Sequence, residues 1–119
     1  MNSIISELSK SELLSRTESL VIEERRITLA LIEHLREIER RMLFAEMGYG
    51  SLFEFAVKHL RLSEGSAHRR IAAMRLVRDV PHAKEGLTSG ALSLSNAARL
   101  HVAFRAVKKL WLGAGESVA

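Results

Sequence analysis

Cysteine is absent from the sequence, proline occurs once, and aromatic residues make up only 5% of the 119 residues. The absence of cysteine excludes a disulfide framework and a thiolate metal site. The scarcity of proline and aromatic residues, beside a hydrophobic fraction of 47%, favours helices packed through Leu, Ile and Ala over β-sheets. The length suffices for one domain and not for two. We therefore expect a single all-α domain.

Long apolar runs are also absent. No uncharged apolar segment approaches the roughly 18 residues that a membrane span requires. Residues 1–5 have no basic region followed by an apolar stretch, which a signal peptide would need. We therefore expect a cytoplasmic protein with no membrane partner.

The sequence also lacks the common catalytic patterns. Its five histidines stand at positions 34, 59, 68, 82 and 101, and no two of them are three or four residues apart. Without that spacing or an HExxH pattern, a zinc site is not expected. Gly48-Tyr49-Gly50 lacks the lysine and the preceding strand of a phosphate-binding loop, and no GxSxG nucleophile motif occurs. We expect no enzyme activity, no metal and no cofactor.

The formal net charge of +4 is unevenly distributed. Residues 1–50 hold seven Lys or Arg and nine Asp or Glu, a net of −2, whereas residues 51–119 hold eleven and five, a net of +6. A one-sided basic surface attracts polyanions at long range. Solvated helix faces that are rich in Arg would give the same count, so charge alone leaves both interpretations open.

A long helical arm is predicted at residues 9–47. Ser9 or Ser11 can cap its first turn, and neither Gly nor Pro follows before Gly48. Because such a run exceeds the usual length of a globular helix, it is either one long helix or a helix pair with a bend. The charged run at residues 23–26 is where we expect the bend.

The arm carries one apolar stripe along its length. Its rows, at steps of three and four, are Leu13, Thr17, Leu20, Glu24, Ile27, Leu31, Leu35, Ile38 and Met42, widened by Leu14, Val21, Thr28 and Ile32. One short domain can hardly cover so long a stripe, so the pattern predicts a homodimer through the N-terminal helices. A helical core within the chain would explain the same stripe.

A helix-turn-helix is predicted at residues 51–78. After Gly48-Tyr49-Gly50 ends the arm, Ser51 and Glu54 form the capping box of a short helix. Arg61-Leu62-Ser63 is the turn, and Ser63 caps the second helix of the unit. The residues expected to face inward are Leu52, Phe53, Ala56, Val57 and Leu60 in the first helix and Ala67, Ile71 and Met74 in the second.

Two further helices are predicted at residues 79–110. The first, at residues 82–89, is closed by Gly90, and the second, at residues 96–110, is capped by the serines that precede it. The expected inward row of the second is Ala97, Leu100, Phe104 and Val107. Flexible ends are predicted at residues 1–8 and 111–119. The fold class is therefore all-α: a long N-terminal helix or helix pair, a helix-turn-helix and two further helices.

The second helix of the helix-turn-helix is the most basic segment of the chain. When the two helices are locked together, the exposed face of the second can enter a major groove about 12 Å wide, where Arg contacts guanine edges or phosphates. The turn carries Arg61 where such units often have Gly. Double-stranded DNA is the expected partner. The predicted DNA-binding residues are Arg61, Ser63, Ser66, His68, Arg69, Arg70, Arg75 and Arg78.

Several segments carry a resemblance to a known group of proteins: EHLREIERR at residues 33–41, GYGSLFEF at residues 48–55, LSEGSAHRRIAAMR at residues 62–75 and SGALSLSNA at residues 89–97. Together they resemble the helical N-terminal region of bacterial HNH-endonuclease-type proteins. The resemblance implies a helical targeting or dimerising module placed ahead of a metal-dependent nuclease domain. No HNH-like pair of histidines with an asparagine occurs here, so the resemblance does not imply nuclease activity for this sequence.

Three functional hypotheses follow from these patterns. The first is a DNA-binding regulatory or targeting module without catalysis. The second is a protein-interaction or oligomerisation module, in which the basic helix contacts an acidic partner and no DNA. The third is a truncated relative of an HNH nuclease.

Overall fold

The structure, a computed structural model, describes the backbone of residues 2–118 and the side chains of residues 4–113. This part of the chain contains helices and no strand, which confirms the all-α fold class. The helices are α1 (Asn2–Ile5), α2 (Lys10–Arg40), α3 (Leu43–Glu46), α4 (Leu52–Lys58), α5 (Glu64–Asp79), α6 (Ala83–Ser89) and α7 (Leu94–Val118).

α2 is one continuous helix of 31 residues. The bend expected at residues 23–26 is absent, and Glu23 and Arg26 form an ion pair along the helix surface, which favours the helical turn there. The chain instead leaves the helix after Arg40. Met42 takes a left-handed backbone conformation (φ 54°), which changes the direction of the chain before α3.

Serine side chains cap the helices, as the sequence predicts. Each accepts a hydrogen bond from the backbone N–H three residues further on, at 3.0–3.1 Å, in α2 (Ser9), α4 (Ser51), α5 (Ser63) and α7 (Ser93). The capping box at α4 is completed by the Glu54 carboxylate, which accepts from the N–H of Gly50 at 3.2 Å. Gly90 closes α6 in a left-handed conformation (φ 85°), as predicted.

α5 lies at the centre of the core, packed against α2, α4, α6 and α7. Its buried residues are Ala67, Ile71, Ala72, Ala73, Met74 and Leu76. Three of these were predicted from the helical spacing, and the others are buried because helices lie on more than one side of α5. The second half of α2 contributes Ile32 and Leu35 to the same core.

The predicted inward row of α4 is partly wrong. Leu52 and Ala56 are buried as expected, but Phe53 and Leu60 are 41% and 38% exposed. Phe55 occupies the core in their place, at 5% exposure, and packs edge-on against the ring of Tyr49. Tyr49 lies in the loop before α4, so this contact depends on the conformation of that loop and cannot be predicted from the helical period of α4.

The predicted inward row of α7 is also partly wrong. Ala97 is buried as expected and Phe104 is half-buried, but Leu100 and Val107 are 50% and 64% exposed, whereas Ala98 and His101 are buried. α7 also runs past its predicted end at residue 110, through Gly113, which costs a helix only about 1 kcal/mol relative to Ala.

The molecule is elongated. Its extents are 69 × 34 × 20 Å and its radius of gyration is 18.6 Å, against about 13–14 Å for a compact chain of this length. All side chains at residues 9–24 and 105–113 are exposed, because these parts of α2 and α7 extend beyond the core. Residues 2–5 and 111–118 are helical where flexible ends were predicted, and Met1 and Ala119 of those ends lie outside the described residues. None of the described helices is long and apolar enough to cross a membrane.

Candidate nucleic-acid interface

The predicted DNA-binding residues do not share one face of α5. Arg61 lies in the turn and Ser63 is the N-cap of the helix. At about 100° per residue, the other six fall into two groups on opposite sides of the helix, with Ser66, Arg69 and Arg70 in one and His68, Arg75 and Arg78 in the other. The structure therefore brings each group together separately.

In the first group, the polar side chains bind each other and the start of the helix. Arg70 donates from Nη1 to the carbonyl oxygen of Ser66 at 3.3 Å and to its hydroxyl at 2.5 Å. The guanidinium of Arg69 folds back over Gly65, where an added Cβ would lie 3.0 Å from Arg69 Nη1. The hydroxyl of Ser63 accepts from the N–H of Ser66. This side of α5 is thus partly occupied by contacts within the chain.

In the second group, two arginines are paired with carboxylates. Arg75 donates to Glu39 at 2.8 Å, and Arg78 lies 3.6 Å from the same carboxyl group. Arg78 also donates from Nε to Asp79 at 3.0 Å. Glu39 belongs to α2, so these contacts join α5 to the end of the long helix.

A cleft of about 1370 Å³ opens beside this second group, between α5 and α7. His68, Arg75 and Arg78 lie along α5, and the N-terminal end of α4 borders the cleft with Ser51, Leu52 and Phe53. The Lys, Arg, Asp and Glu residues of the lining are Arg75, Arg78, Arg105, Lys108 and Lys109 with Glu39 and Asp79. With five cationic groups and two carboxylates, this is a basic cleft.

The cations on the α7 side are not among the DNA-binding residues that the sequence predicts. Arg105, Lys108 and Lys109 are exposed, and no carboxylate of a described residue lies within 4.0 Å of them. Their spacing of three and four residues, which places them on one face of a helix, was the available signal. This spacing did not point to the site, because the sequence predicts that a different face of α7 packs on the core.

Electrostatic contact crosses the cleft from α7 to α5. The hydrogen bond from Arg78 holds the pKa of Asp79 below its usual value, and the charge of Lys108 acts in the same direction. The charge of Lys108 on α7 therefore acts on the acidic end of α5.

His101 lies in the lining of the cleft and is only 4% exposed. Burial lowers the pKa of its imidazole, and the positive charges of Arg105 and Arg75 lower it further. The ring is therefore mainly neutral at pH 7, as suits a group that lies beneath several cations.

The arrangement suits contact with a polyanion better than base reading by α5. Because Ala72 and Leu76 are buried on the side opposite Ala67 and Met74, α5 has no continuous free face to insert in a groove. The basic cleft instead presents cations from two helices along its length. Such groups bind phosphates without regard to sequence.

Comparison of the chain with protein-family models, with curated proteins and with solved structures finds no match. The resemblance to HNH-endonuclease-type N-terminal regions therefore stays a prediction from its motifs. Within the described residues, no three His, Asp or Glu side chains come together in a group that could hold a metal ion.

Proposed function

We propose that the chain is a DNA-binding module without catalysis, and that it holds the phosphate backbone of duplex DNA in the basic cleft between α5 and α7. The observation that carries this proposal is the pair of cationic walls, with Arg75 and Arg78 on one side and Arg105, Lys108 and Lys109 on the other. The three cations of α7 have no carboxylate partner among the described residues, so a polyanion is their natural counter-charge.

The cleft changes which residues are expected to matter most. The helix-turn-helix prediction gave the main role to α5, whereas the enclosure of that helix favours backbone contacts made jointly with α7. Arg69 borders, with His68, a shallow depression near Arg99 of α7, and Arg70 lies on the side of α5 that carries Ser66. Arg69 and Arg70 serve in this proposal as secondary contacts, with double-stranded DNA still the partner.

The test is a fluorescence-polarisation titration of a random duplex at several salt concentrations. The variant Arg105→Gln/Lys108→Gln/Lys109→Gln should bind more weakly, with a salt slope smaller by about two to three, because each lost phosphate contact removes about 0.9 from the slope. The matched control Arg36→Gln/Lys58→Gln/Lys84→Gln removes three charges outside the cleft. Equal losses in both variants would reduce the effect to net charge and reject the cleft.

The double variant Arg69→Ala/Arg70→Ala tests the contribution of the first group. We expect weaker duplex binding and a salt slope lower by about one to two. If this variant loses all binding while the α7 variant retains it, the helix-turn-helix face and not the cleft is the interface.

A second function, self-association through α2, is favoured by the uncovered half of the apolar stripe. Leu14, Leu20 and Ile27 are 59%, 68% and 59% exposed. Contiguous exposed apolar surface marks interaction sites in many proteins. The resemblance to an N-terminal module that targets or dimerises agrees with both functions.

Sedimentation equilibrium tests the second function directly. Leu20→Glu should convert a dimer to a monomer, whereas Ile22→Glu, which places the same charge on the opposite face of α2, should not. Neither position is in the core, so circular dichroism should show unchanged helix content. If the wild-type chain sediments as a monomer at all concentrations, this function is excluded.

A further inference from the structure

The apolar stripe of α2 is divided into a covered and an uncovered part. From Thr28 to Ile38 it packs on the helices of the core, with Ile32 and Leu35 fully buried. From Leu13 to Ile27 every apolar residue of the same stripe is exposed. Because both parts follow one helical spacing, they lie on the same face of one continuous helix. A partner helix on the uncovered part therefore approaches from the side that carries the core.

This geometry disfavours a parallel pair of α2 helices. In a parallel pair with matched residues, the stripe of each helix points at the other helix. The core of each copy covers its stripe from Thr28 onward, so the two cores would have to occupy the space between the helices at the same level. An antiparallel pair confines this conflict to residues 28–30, which face the first turn of the partner's α2, since the rest of each core then lies beyond the start of that helix.

Charge along the stripe favours the same orientation. Glu24 is the acidic residue within the stripe and is exposed. A parallel pair places it opposite its own copy, and like charges that face each other destabilise helix pairs. An antiparallel pair centred at Leu20, which places Leu13 opposite Ile27, places Glu24 opposite Arg16. Carboxylate and guanidinium then lie close together.

We propose that two copies of the chain associate through antiparallel α2 helices, paired from Leu13 to Ile27 and centred near Leu20. This inference rests on the proposed self-association and adds its orientation. At a rise of 1.5 Å per residue, it places the two Arg40 positions roughly 60 Å apart, at opposite ends of the paired helices. The two basic clefts are then separated and not adjacent.

Single cysteines test the orientation, since the native chain contains none. Leu13→Cys and Ile27→Cys are prepared separately, one of them with a tag that changes its electrophoretic size, and a short bis-maleimide is added to each alone and to the mixture. We expect the Leu13–Ile27 heterodimer in the mixture and little linkage of either variant alone. Linkage of either variant to itself, without the heterodimer, would overturn the proposal in favour of a parallel pair.

Two further readouts separate the orientation from the association. If the untreated variants sediment as dimers but none of the samples is linked, the interface lies elsewhere and the proposal is wrong. If the wild-type chain is monomeric, self-association itself fails. Glu24→Gln should leave the dimer unchanged or weaken it up to several-fold in an antiparallel pair, whereas a tighter dimer would show that Glu24 faced its own copy.

Discussion

Arg75 of α5 donates a hydrogen bond from Nη2 to Oε2 of Glu39 in α2, at 2.8 Å. Arg78 lies 3.6 Å from the other oxygen of that carboxylate. Glu39 thus occupies a position between two guanidinium groups of the basic cleft, where a bound phosphate would compete with it. The carboxylate both joins α2 to α5 and reduces the positive charge available to a ligand.

Glu39→Gln should therefore strengthen duplex binding while it weakens the fold. We expect several-fold tighter binding at low salt and a salt slope larger by about one, because Arg75 loses its carboxylate partner and Arg78 keeps only Asp79. The free energy of unfolding should fall by about 1 kcal/mol, as for a partly exposed ion pair. Polarisation titrations and urea unfolding measure the two effects.

The control for this variant is Glu33→Gln, which removes the same charge and breaks the ion pair with Lys84 (2.8 Å), away from the cleft. Its effect on DNA binding should be limited to net charge. An unchanged salt slope in Glu39→Gln would mean that Arg75 and Arg78 do not face the ligand.

Arg61→Gly should stabilise the chain. Arg61 has φ 61° in the turn before α5, a left-handed conformation that costs a non-glycine residue about 1–2 kcal/mol. Part of the gain is offset because glycine has more freedom in the unfolded chain. We expect a net increase of about 0.5–1 kcal/mol in the free energy of unfolding, measured by urea denaturation.

Arg61→Ala is the matched control, because it removes the same charge but keeps the strained conformation. It should not be more stable than the wild type. A loss of stability in Arg61→Gly as large as that in Arg61→Ala would show that the Arg61 side chain makes a stabilising contact.

Features that depend on neighbouring residues, such as helix caps, could be predicted from the sequence, whereas features that depend on helix packing could not. The Ser51 and Ser63 caps and the closure of α6 by Gly90 depend on residues within four positions of each other, and the structure has them as predicted. The face of α7 depends on which side chains allow it to approach α5. The sequence contains two competing rows there, and Leu100 with Val107 is the more apolar one, although the structure buries Ala98 and His101.

The candidate site shows the same division. The basic residues of α5 were found from their density along the chain, but the ion pair between Arg75 and Glu39 joins residues 36 positions apart. No local pattern predicts it. Arg105 and Lys108 belong to the site only because α7 packs beside α5. The cleft therefore cannot be predicted without knowledge of how these two helices pack.

The free energy of unfolding should decrease as the pH is lowered through the range in which histidine titrates. Burial, with Arg105 and Arg75 nearby, lowers the pKa of His101 in the folded chain below its usual value near 6.5, while the carboxylate of Asp79 opposes this weakly. As the pH falls below 6.5, the unfolded chain binds a proton that the folded chain does not, so the stability present above that pH is lost until the folded pKa is reached.

His101→Phe keeps a planar ring but cannot titrate, so it should remove this contribution between pH 7.5 and pH 5.5. Urea unfolding at intervals across that range is the measurement, with the range chosen to lie above the titration of the carboxylates. If wild type and variant show the same slope of stability against pH, His101 does not carry the dependence.

The face of α7 that packs on α5 can be tested by substitutions on the two competing rows. Ala98 is 6% exposed and lies near His68 and Arg69 of α5, so Ala98→Leu should crowd the approach of α7 to α5 and destabilise the chain by about 1–3 kcal/mol. Leu100 is 50% exposed, so Leu100→Ala should change stability by less than about 1 kcal/mol, because little buried area is lost. Thermal unfolding of both variants under identical conditions measures the difference. The reverse order, with Leu100→Ala the more damaging, would mean that α7 is rotated toward the row that the sequence favours, and Arg105 and Lys108 would then no longer line the cleft.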